Sequence, residues 1–153
     1  MIRLTVLCAS LTLMAFIASS ALVYSQSALP AAQPKAEKVY SAVLTDADGV
    51  ETELKNIVFY WEERVSETAF IPHELKQVPV KKGNATVHVK FDTIKQIDVK
   101  PSEDKRMPQI NIALTNGKHG DFTLAIAGSF KGDSDFGDLE LPASGLRKVV
   151  FNK

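Results

Sequence analysis

Residues 137–151, G-D-L-E-L-P-A-S-G-L-R-K-V-V-F, carry the plan of the fold. Leu139 and Leu141 alternate with Asp138 and Glu140, the pattern of a half-buried strand. Pro142 ends that ladder because it has no N–H to donate. Ser144 and Gly145 permit a tight bend, after which Leu146, Val149 and Phe151 return to the apolar side. A related text stands at residues 86–99, T-V-H-V-K-F-D-T-I-K-Q-I-D-V. Val87, Val89, Ile94, Lys95, Ile97 and Val99 precede Leu139, Leu141, Leu146, Arg147, Val149 and Phe151 by 52 positions each. Five apolar matches and one basic match at a single offset predict a duplicated strand–bend–strand unit.

The start of the chain belongs to another kind of text. Met1-Ile2-Arg3 is a short basic opening, followed by an apolar run over residues 4–17 and then small residues, the layout of a secretory signal peptide. Val23 and Ser25 suit cleavage before Gln26, with cleavage after Ala21 as a competitor. An uncleaved anchor is the other reading, since residues 4–23 approach the roughly 20 residues that span a bilayer. Residues 1–25 are therefore expected to be a signal helix. Residues 26–38, rich in Ala and Pro and without apolar period, are expected to be a disordered linker.

Cys8, the single cysteine, lies inside the leader, so the exported domain has to hold itself by its core rather than by disulfides. The whole chain balances 18 basic against 18 acidic residues. Arg3 is the only charge in the leader, and its removal leaves a net charge near neutrality. That balance argues against a nucleic-acid partner, which calls for a basic excess. It also gives no electrostatic reason to sit on an anionic membrane. Membrane contact is expected only through residues 1–25, if they are retained.

From residue 39 onward, strand formers and turn residues alternate about every ten positions, and no helical period is sustained. The predicted class is all-β: a small barrel or sandwich of about 8–10 mostly antiparallel strands. Two related halves are expected, residues 39–100 and 109–152, within a β domain of residues 39–153. Asn116-Gly117 is the strongest hairpin signal, and Asp46-Ala47-Asp48-Gly49 marks another turn. Leu44-Thr45 before the first turn resembles Leu114-Thr115 before the second. That offset of 70 implies 18 extra residues in the first half. Residues 62–75 read as irregular, and residues 128–137 as a polar loop.

A strand, a one-turn bend and a final strand with apolar positions at 0, +5 and +8 (Val89, Ile94, Ile97; Leu141, Leu146, Val149) resemble the closing segment of Sm-like and SH3-like small β-barrels. The resemblance implies topology alone, because the RNA binding of Sm-like proteins does not suit an export signal and a neutral chain.

Chemistry-bearing residues are sparse. His73, His88 and His119 have no His or Cys at metal-ligand spacing. Asp133, Asp135 and Asp138 sit beside glycines and could hold calcium, but Asp and Gly are also the ordinary residues of turns, and the EF-hand spacing is absent. No G-x-S-x-G elbow is present, and no cofactor is expected. Asn84-Ala85-Thr86 is a glycosylation sequon in a host that glycosylates.

Residues 59–61, Phe-Tyr-Trp, form the densest aromatic run. Phe59 and Trp61 fall on one strand face and Tyr60 on the other, so Tyr60, Trp61 and the nearby His73 are the candidates for partner binding. Residues 62–77 have no counterpart in the second half, and extra segments on a rigid scaffold often carry function.

The expected protein is an exported, non-enzymatic binding or structural module of the periplasm, cell envelope or extracellular space. Its partner would be another protein or a small envelope ligand. The alternative is a hydrolase or metal-dependent enzyme with a site assembled from distant residues. Mass spectrometry of the protein from an export-competent host should find a new N-terminus between Leu22 and Ser27. Intact Met1 form in the membrane fraction would support the anchor instead.

Overall fold

The computed structural model describes residues 37–104 and 106–152, so the predicted signal helix and most of the linker lie outside the described residues. Among the described residues, no helix is long and apolar enough to cross a membrane. The described residues form eleven strands: β1 (Ser41–Asp46), β2 (Glu51–Arg64), β3 (Phe70–Leu75), β4 (Gln77–Lys82), β5 (Ala85–Lys90), β6 (Ile94–Lys100), β7 (Gln109–Leu114), β8 (His119–Leu124), β9 (Ser129–Ser134), β10 (Gly137–Pro142) and β11 (Leu146–Asn152). All pairings are antiparallel, in the order β10-β9-β2-β1-β11-β6-β7-β8-β4-β5, with β3 added to the far end of β2. The all-β class is therefore observed, with more strands than the 8–10 expected.

β3 lies in the stretch read as irregular, and β9 in the stretch read as a polar loop. β3 occupies residues 70–75 because Phe70, Ile71 and Leu75 favour extended backbone, and Pro72 is tolerated on a strand paired on one side only. β9 was hidden by glycine. Its core-facing positions are Phe130 and Gly132, so the alternation that marks a strand is half missing. Glycine is needed there, because a Cβ on Gly132 would lie 2.7 Å from the Lys55 carbonyl oxygen of β2. At Gly128 a Cβ would lie 2.7 Å from the Tyr60 carbonyl oxygen. At these two positions the chain beside β2 has no room for a side chain.

β2 serves two ladders. Its first residues pair with β1 as far as Leu54, and its later residues pair with β9 and β3. The change occurs at Asn56, which has φ +53°, at a register shift between Lys55 and Val58. Asn tolerates this left-handed backbone better than most residues. One extra residue also switches the inward parity, so Leu54, Ile57 and Phe59 are all buried.

One strand–turn–strand arrangement stands twice in the element order. β4, β5, a 3-10 turn (Phe91–Thr93) and β6 reappear 52 positions on as β9, β10, a 3-10 turn (Ala143–Gly145) and β11, with the same bounds. The bonds that seat the turns recur too: Phe91 N–H donates to Lys76 O at 3.1 Å, and Ala143 N–H to Gly128 O at 3.0 Å. The opening hairpins correspond at 68 positions rather than 70. Gly49 N–H donates to Asp46 O and Gly117 N–H to Leu114 O, with glycine φ values of +86° and +83°. Leu44-Thr45 and Leu114-Thr115 are thus not equivalent pairs, and the first half carries 16 extra residues, the difference between 68 and 52.

Each opening hairpin completes the other half's ladder. β1 and β2 pair with β11 and β9, whereas β7 and β8 pair with β6 and β4. Ala47 N–H donates to Gly145 O and Thr115 N–H to Thr93 O, both at 2.9 Å, so each hairpin turn is latched to the other half's 3-10 turn. β11 and β6 then join the two ladders. The buried side chains form one core, in which the Phe91 ring contacts Tyr40, Phe130 and Phe151 at centroid distances of 5.7, 6.4 and 4.8 Å. No buried side-chain polar atom among the described residues lacks a hydrogen-bond partner.

Ile94 and Leu146 each follow a 3-10 turn and are buried, while Lys95 and Arg147 beside them are exposed. Truncating either Ile94 or Leu146 to Ala should cost about 2–5 kcal/mol in urea melts. The Lys95→Ala and Arg147→Ala variants should stay within about 0.5 kcal/mol. A mild effect at one apolar position beside a severe effect at the other would mean that the two units are not equivalent.

Candidate binding surface on the β2–β3 arm

The 16 extra residues of the first half are the far part of β2 and β3, an arm that the second half lacks. Phe59 anchors its base, buried against Phe130 in an edge-to-face contact at 5.6 Å. Trp61, half-buried, is tilted against Phe59 at 6.2 Å. Beyond Trp61 the arm has few core contacts. Its tip is closed by Val65 N–H donating to Ala69 O and by Ala69 N–H donating to Ser66 Oγ, both at 3.0 Å.

Antiparallel register sets Trp61 directly opposite His73. Their rings stack at 4.7 Å with a 10° interplanar angle, and His73 Nε2 lies 3.0 Å from Glu63 Oε2. The imidazole is thus held between an aromatic face and a carboxylate while remaining open to solvent. Tyr60 points the other way, as alternation requires. Its hydroxyl donates to Glu62 at 2.6 Å, and the Lys131 ammonium lies 5.2 Å from its ring centroid and 3.3 Å from Glu74. The hydrogen bond to Glu62 pushes the phenol up from 10.0 to about 12, aided by desolvation and by the negative charges of Glu62, Glu140 and Glu74.

The tip presents apolar surface. Val65 is 53% exposed, Phe70 51% and Ile71 46%, on or beside a strand that, among the described residues, pairs only with β2. Sequence reasoning had named Tyr60, Trp61 and His73 but missed Phe70 and Ile71. The extended-chain preference of those two residues was readable, but their exposure was not.

Of the other candidates, His88 and His119 line one cleft, and the three aspartates lie elsewhere. His88 lies on β5, with Nδ1 3.4 Å from the Gln77 amide, and His119 opens β8. Asp133 and Asp138 face each other across β9 and β10, with Asp133 bonded to the Asn56 amide. Asp135 sits 3.5 Å from the Lys55 ammonium instead. Among the described residues, no three His, Cys, Asp or Glu side chains are placed to share a metal ion.

Residues 36–153 match the model of a protein family described as "Uncharacterised protein", and the chain belongs to that family. No curated protein matches the chain.

Tyr60 gives a pH signature of the arm. Folding holds its phenol neutral above the ordinary value, and the unfolded chain ionises first. Stability linked to this group is present below pH 10.0 and fades as pH rises toward 12. An ultraviolet titration of tyrosinate absorbance should show one late-ionising group, and Glu62→Gln should bring its midpoint down. An unchanged midpoint would assign the late group elsewhere.

Proposed function

We propose that the chain is an exported, non-enzymatic binding or structural module of the cell envelope or extracellular space, and that the β2–β3 arm is its partner-binding surface. The apolar tip of an arm present in only one of two otherwise corresponding halves carries this reading. Phe70 and Ile71 contribute little to the core, so their exposure calls for a role outside it. Among the described residues β3 has a free strand edge, to which an extended segment of another protein can add by main-chain hydrogen bonds. Pro72 and the charged Glu74 limit indiscriminate pairing along that edge.

The scaffold is read as a duplicated small β-barrel unit whose halves have exchanged opening hairpins. The 3-10 turn before each final strand accords with the resemblance to Sm-like and SH3-like closing segments. Export rests on the layout of residues 1–25. A hydrolase or metal-dependent enzyme, the alternative, would draw on the His73–Glu63 pair of the solvent-open arm or on His88 and His119 of a separate cleft.

Capture of partners from the host's envelope fraction tests the proposal. The wild-type protein should retain one or more proteins that a Phe70→Asp/Ile71→Asp variant loses. Both positions are exposed, so the variant should melt within about 2 °C of wild type, as surface substitutions do. Equal retention by a folded variant would remove the arm from binding.

A further inference from the structure

The open side of the β6-β7-β8-β4-β5 ladder holds a cleft of about 420 Å³, within the range that takes small ligands. Val87 and Val89 from β5, Ile112 and Leu114 from β7, and Phe122 from β8 supply its apolar surface. Gly120, beside Phe122, adds no side chain; a Cβ there would come within 3.0 Å of the Phe122 ring. Three of the corresponding positions in the other ladder carry more bulk, while Leu54, which stands 68 before Phe122, carries less. Leu139 and Leu141 stand 52 positions after Val87 and Val89, and Thr52 stands 68 before Gly120. Both leucines pack half-buried against the core, whereas Val87 remains 40% exposed. The small side chain of Val87 and the bare Gly120 leave part of this side open.

The charge of this cleft is one-sided. Lys82, Lys90 and Lys118 line it together with His88 and His119, and no Asp or Glu does. Lys82 Nζ lies 5.9 Å from the centroid of the Phe122 ring, next to the apolar wall. Five other lysines (Lys38, Lys55, Lys76, Lys100 and Lys131) have carboxylate partners. Among the described residues, none of the three cleft lysines has one. A larger groove beside β11 and β6 offers no such bias, since Glu51, Asp98 and Asp104 there face Lys100, Arg147 and Lys148.

We propose that this cleft binds an amphipathic anion as a single molecule, its apolar chain lying along Val87, Val89, Ile112, Leu114 and Phe122 and its carboxylate held by Lys82 and Lys118. An apolar surface recognises the chain by burial. Unpaired ammonium groups at the rim recognise the head group by charge-assisted hydrogen bonds. This site is separate from the arm and does not depend on it.

Dodecanoate below its micelle concentration is the probe, titrated into the full-length protein by calorimetry. Saturable binding of one molecule is expected, with amide shifts at Gly120 and His119 in NMR spectra. Dodecyltrimethylammonium and acetate should not bind. A Lys82→Glu/Lys118→Glu variant should weaken dodecanoate binding by about tenfold or more, the loss of at least one charge-assisted contact. Lys95→Glu, an exposed change outside the cleft lining, should leave it unaltered. Three results would overturn the proposal: no dodecanoate binding, equal binding of the cationic amphiphile, or full affinity in the folded double variant. Binding to anionic vesicles without binding of monomeric dodecanoate would also overturn it, in favour of a membrane surface.

Discussion

The ladder order depends on β2 turning its corner at Asn56. A strand with strict alternation could bury Leu54 or the pair Ile57 and Phe59, but not all three, since one face is read at every second residue. The extra residue in left-handed conformation resets the count. Tyr40 O accepts from Ile57 N–H at 3.0 Å, just past the corner, while in the second half Pro108 O accepts from Leu124 N–H at 3.1 Å. Those two bonds correspond at 68 positions on the acceptor side and 67 on the donor side. The single-residue slip is the bulge itself. Without it, Ile57 and Phe59 would turn away from the core and the ladder of β2 with β9 would lose its register.

The pairing of β1 and β2 with β11 and β9, and of β7 and β8 with β6 and β4, makes the core a joint product of sequence-distant segments. Neither closing unit can finish its ladder until the hairpin from the other half arrives. Pairings such as β1 with β11 bring together residues more than one hundred positions apart. Folding must close those long loops before most of the apolar burial is gained, which favours slow assembly. The central Phe91, opposite the smaller Ala143 at the corresponding position, gives the core its asymmetry.

Legibility followed side-chain alternation. The unit at residues 86–99 and 138–151 was readable because its apolar positions carry branched or aromatic residues at a single offset. β9 was not, because Gly128 and Gly132 are selected for the absence of side chains. The opening hairpins misled by two positions because a shared Leu-Thr pair is a weaker marker than the turn geometry around Gly49 and Gly117. On the arm, alternation correctly separated Tyr60 from Phe59 and Trp61. The Trp61–His73 stack depends on cross-strand register, which no local pattern in residues 62–75 specifies. The cleft at Gly120 was invisible for a related reason, since it is defined by volume that several strands fail to fill.

Ser41 pairs with Asn152, so the start of β1 and the end of β11 lie side by side in an antiparallel pair. Tension applied between those two points would not load the backbone hydrogen bonds together. It would open them one after another from the end, like a zip, with Ala42 and Phe151 exposed first. Under mechanical load, this domain would yield at the seam of its own first and last strands, well before the latches at Gly145 and Thr93 felt the pull.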